Sequence, residues 1–536
     1  MRFLPVNLDA LLVELDDLPQ TLALLASLQA QPLAGVDEIV PAARTLLLQF
    51  RPAAVTPAQL AAAIAARPLD RAAARAGRCV EIEVDYSGED LDEVAGLLGM
   101  TRAEVIAAHT GSDYAVAFVG FAPGFAYLSG GDPRLDVPRR STPRTRVPAG
   151  AVALAGTFSA VYPQASPGGW QLIGVTRAPM WDLSRPVPAL LQPGLRVRFV
   201  DAARRAARPA PAAVPSPSPA SAPAPAPPAA APAPAGAALQ VLRPGLQALF
   251  QDLGRPGQAG QGVSASGALD RAALRAANRL VGNPPDAAAL ETVDGGFELL
   301  SQGDTVVAVT GADGPLALAP AAGGAPLPQP RWQPLALADG DRLALGAPVA
   351  GLRSYLAVRG GFAVAPVLGS CATDTLARLG PAPIAAGDRL PVHATAHGVV
   401  GAPELPPALP SPARPVVLDV VLGPRTDWFT DEAVALFAAQ EWTVTPQSNR
   451  VGLRLAGATP LARRRHDELP SEGTVAGAIQ VPASGQPVLF LADHPLTGGY
   501  PVIGAVAPHH LDLAGQIPVG ARIRFNPLRP FAPITQ

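Results

Sequence analysis

Two stretches of the sequence follow the same pattern, and they decide the fold. The first reads GGWQLIGVT (168–176) and leads to PGLRVRF (193–199), and the second reads GGYPVIGAV (498–506) and leads to VGARIRF (519–525). In both, paired glycines and an aromatic residue precede an apolar strand, and a glycine turn then starts an R-x-R-F strand. We interpret this echo as one barrel topology that the chain uses twice.

The sequence around each stretch has the alternation of short strands and turns that is typical of a β-barrel. Between Tyr114 and Val200, short apolar strands alternate with PG, GG and DP turns, which favours a closed or nearly closed barrel. Residues 239–536 show the same alternation of short strands and turns around one clear helix at 267–281. Ser266 is the predicted N-cap of this helix.

The remaining segments set the domain organisation. In residues 1–78, LLVEL and TLLLQF predict strands, and two alanine-rich stretches predict helices, as in a small α+β domain. A first barrel is expected at 79–203. Residues 204–238 consist mostly of Pro, Ala and Ser and predict a disordered linker. A second module is expected at 239–536, so the fold class is mainly β (α+β).

Composition excludes several classes of function. The 41 basic and 43 acidic side chains nearly balance, which argues against nucleic acid as a partner. The chain contains no lysine, so it cannot form a Schiff base, a P-loop of the GxxxxGK[ST] kind or a covalent biotin attachment. Early acidic residues and the lack of a long apolar segment predict a cytoplasmic protein that does not enter the membrane.

The sequence also offers no recognisable metal or nucleophile motif. Cys79 and Cys371 are the two cysteines, and we interpret both as buried thiols. No HExxH, CxxC or Ser-His-Asp arrangement can be drawn, and the histidines lack zinc-ligand spacing. We therefore expect no metal ligands, and the residues alone indicate a small-molecule enzyme or binder.

One candidate binding segment is the turn GFAPGFAYL (120–128). Pro123, Gly124 and Phe125 lie where turn residues would expose backbone N–H groups beside aromatic faces. A hairpin turn that covers a core is the equally good alternative.

Cationic side chains follow this turn. Arg144 and Arg146 share one face of an extended strand and suit a carboxylate or phosphate, or else form a solvated edge. His109 ends a helix that the capping box of Thr101 and Glu104 predicts, where it could act as acid or base or serve the fold alone.

The second module carries its polar groups in two segments. SNRVGLRLAG (448–457) predicts a half-buried strand that presents Arg450 and Arg454 on one face, which surface exposure would explain equally well. A run rich in glycine and proline then supplies polar groups at turns, namely Glu472, Gln480, Asp493, Thr497 and Tyr500.

Longer motifs resemble a known family. Through GFAPGFAYL, DPRLDVPRRSTPRTRVPAGAVALAG and SPGGWQLIG, the first module resembles the B-type subunit of bacterial 5-oxoprolinase, also described as allophanate hydrolase subunit 1 or KipI. Through VLRPGLQALFQDLGRPG, SGALDRAALRAANRLVGN, SEGTVAGAIQVPASGQP and TGGYPVIG, the second resembles the C-type subunit of the same enzyme, also called allophanate hydrolase subunit 2 or KipA.

This resemblance implies cyclophilin-like barrels in both modules and a shared site at their interface. It further implies that the two modules use ATP, with Mg²⁺, to phosphorylate 5-oxoproline, and that a separate third subunit, a hydrolase, completes conversion to L-glutamate. Whether the chain forms a homo-oligomer is left open.

The resemblance also suggests roles for individual residues. The arginines would bind anions and His109 would handle protons. The expected catalytic residues are His109, Arg144, Arg146 and Glu472, and the expected substrate or nucleotide contacts are Pro123, Gly124, Phe125, Ser266, Arg450, Gln480 and Tyr500. The segment DHPLTGGYPV departs from many relatives by placing Pro495, Leu496 and Val502 at normally polar or cationic positions.

Two other functions stay open. The same pair of modules resembles the carboxyltransferase part of urea carboxylase, in which case biotin would arrive on another protein because this chain has no lysine. A KipI- and KipA-like regulator of a histidine kinase is the alternative from a different class.

Overall fold

A computed structural model describes residues 1–69, 78–140, 142, 144–206, 236–395 and 397–535. These residues are mainly β with short helices, as predicted. Most of the predicted linker at 204–238 lies outside the described residues. In the parts that the structure describes, no helix combines the length and the apolar character needed to cross a bilayer.

The N-terminal domain is one antiparallel sheet with two helices. Its strands are β1 (Arg2–Asn7), β2 (Ala10–Glu14), β3 (Val36–Pro41) and β4 (Thr45–Phe50), and its helices are α1 (Leu18–Ala30) and α2 (Pro57–Ala65). The strand order is β1-β2-β4-β3. The strands predicted in LLVEL and TLLLQF, and both alanine-rich helices, are confirmed.

The first barrel follows at residue 79. Its elements are β5 (Cys79–Val84), α3 (Leu91–Leu98), α4 (Arg102–Thr110), β6 (Tyr114–Val119), β7 (Ala126–Ser129), β8 (Arg144–Val147), β9 (Ala151–Ala155), β10 (Phe158–Val161), β11 (Ser166–Gly168), β12 (Gln171–Val175), β13 (Arg196–Asp201) and α5 (Ala202–Ala206). The predicted capping box is confirmed, because Thr101 and Glu104 bond each other's backbone at the start of α4.

Cys79 is exposed, so the prediction of a buried thiol is wrong there. Side chains alternate along β5, and Cys79 shares the outward face with Glu81 and Glu83. Cys371 is half-buried.

Residues 239–536 fold as two units, and the first contains two sheets. Its elements are β14 (Ala238–Pro244), β15 (Gln247–Gln251), α6 (Arg271–Leu280), β16 (Ala289–Val293), β17 (Phe297–Gln302), β18 (Thr305–Asp313), β19 (Leu316–Ala319), β20 (Leu327–Pro328), β21 (Pro334–Leu337), β22 (Arg342–Leu345), β23 (Ala350–Val358) and β24 (Arg389–Pro391). The sheets run β20-β19-β22-β17-β14-β24 and β15-β16-β23-β18-β21.

Ser266 does not cap the helix of this domain, contrary to the prediction. Helix α6 begins at Arg271, and the Asp270 carboxylate accepts the backbone N–H of Ala273 at 2.8 Å. Ser266 instead has a positive φ of 55° in the loop before the helix.

The C-terminal barrel is closed. Its elements are β25 (Val416–Leu422), α7 (Asp431–Ala439), β26 (Trp442–Val444), β27 (Gly452–Ala456), β28 (Glu472–Gly473), β29 (Ala478–Gln480), β30 (Val488–Phe490), β31 (Thr497–Gly498), β32 (Val502–Val506), α8 (Leu511–Gly515) and β33 (Arg522–Pro527).

The sequence echo corresponds to one strand order in two barrels. The first barrel runs β12-β9-β10-β7-β6-β13-β5, and the second runs β32-β29-β30-β27-β26-β33-β25. In each, the R-x-R-F strand lies parallel to the opening strand, with Arg196 opposite Cys79 and Ile523 opposite Val416. A bridge from Asp85 to Val175 joins the edges of the first barrel. The interpretation of a repeated topology is therefore confirmed.

The N-terminal sheet joins the two modules. One face packs on α1 and α2, and the other packs on the C-terminal barrel through a cluster that includes Leu47 and Phe490. Gly473 permits this contact, since a Cβ atom there would lie 2.6 Å from Leu47 Cβ. Asn7 Nδ2 also donates to the Val506 carbonyl at 2.9 Å. The two modules therefore contact each other through the N-terminal sheet.

We expect Leu47→Ala to destabilise the protein by about 2 kcal/mol or more, because the lost methyl groups leave a cavity between two packed sheets. The measurement is the midpoint of the first thermal unfolding transition. Leu246→Ala is the control, since Leu246 is 76% exposed. Equal midpoints for the two variants would show that the sheet-to-barrel contact does not stabilise the fold.

Candidate active site between the modules

The two modules enclose a cleft of about 1160 Å³. On the first module its wall is aromatic and centres on Phe125, one of the predicted binding residues. The Phe125 ring lies 5.1 Å from that of Tyr127, 5.2 Å from Tyr162 and 5.7 Å from Trp170. These edge-to-face rings form a firm apolar surface for a flat ligand.

The predicted turn around Phe125 lies at the contact between the two modules. The backbone N–H of Gly124 donates to the Gln261 carbonyl at 3.0 Å, and Pro123 is buried beside it. A Cβ atom on Gly120 would lie 2.3 Å from Thr497 Oγ1. The expectation that the Gly124 N–H faces a ligand is therefore wrong, because the other module occupies that donor.

The second module contributes polar groups to the opposite wall. Gln480 and Tyr500 both line the cleft, as predicted, and Gln480 Nε2 donates to the Tyr500 carbonyl at 3.1 Å. Of the three departures in DHPLTGGYPV, Pro495 lines the cleft. Leu496 and Val502 belong to the apolar cluster against the N-terminal sheet, so these two departures from relatives concern packing.

A buried ionic network lies behind this wall. Arg450 Nε and Nη2 each donate to the Asp493 carboxylate at 3.0 Å, and Arg450 also pairs with Glu291. Ser266 Oγ donates to Asp493 at 2.6 Å. Thr375 adds its backbone N–H at 2.9 Å and its hydroxyl at 2.7 Å. One carboxylate thus holds three separate segments of the second module.

Burial and charge oppose each other in this network. Burial alone would raise the pKa of Asp493, but the charge and hydrogen bonds of Arg450 hold that pKa below its usual value. The prediction that Arg450 lies with Arg454 on one face of a strand is wrong, and so is the alternative that it is a surface cation. It precedes β27 and is 1% exposed, because two carboxylates neutralise it in the interior. Arg450 still borders the cleft.

Glu472 lies outside this cleft. It lines a neighbouring pocket of about 440 Å³ between the N-terminal sheet and the C-terminal barrel. Arg425 Nε bonds both of its oxygens at 2.9 Å, and Glu14 pairs with the same guanidinium at 2.8 Å. Burial raises the pKa of Glu472. A catalytic role for Glu472 stays a prediction, and the position of Glu472 outside the cleft does not favour that role.

His109 also lies away from the cleft, in the core of the first barrel. Its ring nitrogens pair with Tyr86 OH at 2.7 Å and Ser159 Oγ at 2.9 Å, and its ring stacks on Phe199 at 4.3 Å. Burial lowers the pKa of His109 to about 3, so the ring is neutral at pH 7. This position favours a structural role over the predicted proton transfer.

The arginine pair Arg144 and Arg146 does not line the cleft. Arg144 pairs with Glu89 at 2.9 Å and Asp90 at 2.7 Å, and Arg146 is exposed. The preceding Arg139 and Arg140 reach the cleft instead. The R-x-R spacing therefore predicted the wrong pair of arginines. Arg144 extends from β8 toward the start of α3 and Arg146 extends into solvent, so neither reaches the cleft.

Several residues that line the cleft were not predicted from the sequence. The quoted GGWQLIG motif already contained Trp170, whereas nothing in the local pattern distinguished the others. Besides Trp170, these residues are Tyr162, Arg139, Arg140, Arg378, Asn449 and Glu468.

The fold also brings together three side chains that the sequence does not place near one another. Asp419 lies within 4.8 Å of His509 and His510, a grouping that could hold a metal ion. His510 Nδ1 already accepts the backbone N–H of Asp419 at 2.9 Å. The side-chain amide of Asn526 donates to one carboxylate oxygen of Asp419 at 2.7 Å. Hydrogen bonds within the protein account for this arrangement.

We expect Arg450→Met to cost about 3–5 kcal/mol of unfolding free energy, because it leaves Asp493 buried without its paired cation and leaves Glu291 with Arg353 alone. Removing both partners, as in Arg450→Met with Asp493→Leu, should recover part of this loss. The measurement is denaturant unfolding followed by tryptophan fluorescence. Arg454→Met is the exposed control, and a loss no greater than in that control would contradict the buried network.

A second stability prediction concerns pH. Burial, with the Asp493 charge added, raises the pKa of Asp374 from 3.8 to about 6. The folded state then binds the proton more tightly than the unfolded state, so this group lowers stability as pH rises from about 4 to 6.

Asp374→Asn removes that titration and keeps an acceptor for the turn, so its stability relative to wild type should rise across this window and level off above it. Unfolding free energies between pH 4 and 8 test this. Exposed Asp286→Asn should parallel wild type, and a flat difference for Asp374→Asn would refute the assignment.

Comparisons with known proteins cover both halves. The carboxyltransferase domain profile for subdomains C and D matches residues 1–191, and that for subdomains A and B matches residues 261–527. The chain is 37% identical over 290 residues to the C-type subunit of 5-oxoprolinase from Escherichia coli K12, covering 54% of this chain and 90% of that protein.

Other relatives match one half of the chain. It is 47% identical over 126 residues to the B-type subunit of 5-oxoprolinase from Escherichia coli O157:H7, covering 23% of this chain and 58% of that protein. It is 32% identical over 319 residues to urea amidolyase of Lachancea kluyveri, covering 54% of this chain and 17% of that protein.

Three crystal structures of TTHA0988 match nearly the whole chain. One of them aligns with a TM-score of 0.79 and 35% identity, covering 96% of this chain and 99% of that one. The chain therefore belongs to the carboxyltransferase-domain family that includes the B-type and C-type subunits of 5-oxoprolinase, and it joins a B-like half and a C-like half in one polypeptide.

Proposed function

We propose that the chain is the activating component of a 5-oxoprolinase, which uses ATP to phosphorylate 5-oxoproline before a separate subunit hydrolyses it. The observation that carries this proposal is the single cleft to which both halves contribute. The B-like half supplies aromatic rings, and the C-like half supplies arginine, amide and glycine-rich backbone. Relatives named as the two 5-oxoprolinase subunits match these halves.

The chemistry explains why ATP is needed. A lactam is a resonance-stabilised amide with a poor leaving group on its carbonyl carbon. In the proposed step the lactam oxygen bonds to the terminal phosphorus of ATP, the bond from that phosphorus to the bridging oxygen breaks, and ADP leaves. The ring nitrogen gives up its proton. Water then adds at the activated carbon on the partner subunit, and the bond from that carbon to the ring nitrogen breaks as the nitrogen takes up protons. A second water hydrolyses the resulting acyl phosphate to glutamate and phosphate.

The residues of the cleft fit such a step through positioning and charge. The aromatic wall around Phe125 excludes water from one side of a flat ring. Gln480 offers an amide to the substrate, and arginines oppose the charge that develops on phosphate oxygens. Among the described lining residues, Glu468 is the one carboxylate. We propose that Glu468, while it stays paired with Arg139 at 2.9 Å, would also hold Mg²⁺ together with ATP phosphates, because Mg²⁺ commonly takes one or two carboxylates and phosphates.

A second candidate is carboxyl transfer. The carboxyltransferase profiles and the urea amidolyase match favour it. Biotin would have to arrive on another protein, because this chain has no lysine to carry it. The jointly built cleft is our reason for placing either enzyme ahead of a histidine kinase regulator. We propose the cytoplasm as its location and the hydrolase subunit as its partner.

We expect glutamate to form from 5-oxoproline when ATP, this protein and the matching hydrolase subunit are all present. Omission of any one should abolish it. Urea with bicarbonate and carboxybiotin carrier serves as the parallel assay. Turnover there, with none on 5-oxoproline despite a competent partner, would replace the main proposal with carboxyl transfer.

A variant in the cleft should separate site effects from folding. We expect Gln480→Leu to lower kcat/KM by about tenfold or more, since one hydrogen bond to a reacting group contributes on the order of 1.4 kcal/mol or more. Gln329→Leu, in the domain that precedes the C-terminal barrel, should leave kcat/KM unchanged. Equal activity of the two variants would remove Gln480 from the proposed site.

A further inference from the structure

We infer that Arg378 and Arg454 form an anion site for the phosphates of the nucleotide in the cleft. This inference rests on the proposed function and adds to it the place of the triphosphate. Five arginines line the cleft: Arg139, Arg140, Arg378, Arg450 and Arg454.

Three of these arginines already have counter-charges. Arg139 pairs with Glu468 at 2.9 Å, Arg140 pairs with Asp90 at 2.9 Å, and Arg450 belongs to the buried network.

Arg378 and Arg454 differ, because no acidic side chain within the described ranges pairs with either guanidinium. Two cations left without a counter-charge in a cleft lined by both modules indicate an anionic ligand.

The turn that carries Arg378 is held rigidly. The Asp374 carboxylate accepts the backbone N–H groups of Leu376 at 3.0 Å and Ala377 at 2.8 Å, and the backbone of Asp374 pairs with that of Leu379. Arg378 itself has a φ of 57°, a left-handed conformation that is uncommon for arginine. Such a conformation persists where the surroundings enforce it, and it often marks a functional site.

Arg454 sits on an equally fixed segment. Its backbone N–H donates to Ser448 Oγ at 3.0 Å, and Asn449 Oδ1 accepts the N–H of Val451 at 2.9 Å. Arg450 of the same segment binds Asp493, and Thr375 of the Arg378 turn binds Asp493 as well. One buried carboxylate therefore fixes the backbone of both arginine-bearing segments, from which the two exposed side chains extend at the cleft.

Charge favours a polyphosphate over the carboxylate of 5-oxoproline. Each guanidinium presents a planar fork of N–H donors that matches two oxygens of a carboxylate or phosphate. A single carboxylate satisfies one fork, and the second cation would keep no counter-charge. A triphosphate has enough oxygens and negative charge for both.

The test is a binding titration on the full chain with ATP, and with inorganic tripolyphosphate as the probe of the anion site alone. We expect Arg378→Gln and Arg454→Gln each to raise the Kd for both by about tenfold or more, since bonds to charged groups are worth about 1.5–3 kcal/mol. Arg454→Lys should lie between wild type and Arg454→Gln, because it keeps the charge and loses the fork. Exposed Arg342→Gln is the matched control and should bind like wild type.

Unchanged Kd values for the folded double variant would overturn the inference, as would a rise in the KM for 5-oxoproline with no change for ATP. If wild type gave no glutamate but lost tripolyphosphate binding on double substitution, the proposed function would fail while the anion site stood. If wild type turned over and the double variant kept its KM for ATP, the anion site alone would fail.

Discussion

The pairing of Arg450 with Asp493 in the interior of the second module is the interaction on which the site depends. Asp493 has no exposed surface, and it accepts hydrogen bonds from Arg450, Ser266 and Thr375. These residues come from the C-terminal barrel, the loop before α6 and the turn near Arg378. Removing one member leaves charge buried without compensation, so the segments keep their places together. The polar wall of the cleft is a consequence of this constraint.

The other wall depends on close approach between the modules. Gly120 and Gly262 lie where a side chain would collide with Thr497 and Ala122 of the facing module. This approach brings the aromatic wall around Phe125 against the glycine-rich loop of the C-terminal barrel. Because the N-terminal sheet also packs on that barrel, the first module is attached at two places. The cleft therefore belongs to the pair of modules and to neither one alone.

The sequence predicted the features that local patterns encode. Paired glycines, an aromatic residue and an R-x-R-F strand gave the repeated barrel, and Thr101 with Glu104 gave the start of α4. It could not show which polar residues face a shared cavity, because that depends on tertiary contacts. His109 at a helix end suggested a titrating group, but burial in the barrel core lowers its pKa and leaves the ring neutral. The sequence placed Arg450 on a strand face, either presented to a ligand or exposed to solvent, because its carboxylate partners Asp493 and Glu291 lie far away in the sequence.

We expect the two modules to form one packed unit whose pairing does not require the linker. Cutting the chain at a protease site introduced within residues 207–235, followed by size-exclusion chromatography, tests it most directly. We expect the two fragments to elute together and to keep the ligand binding of the intact chain. Elution of two separately folded fragments, each without that binding, would contradict it.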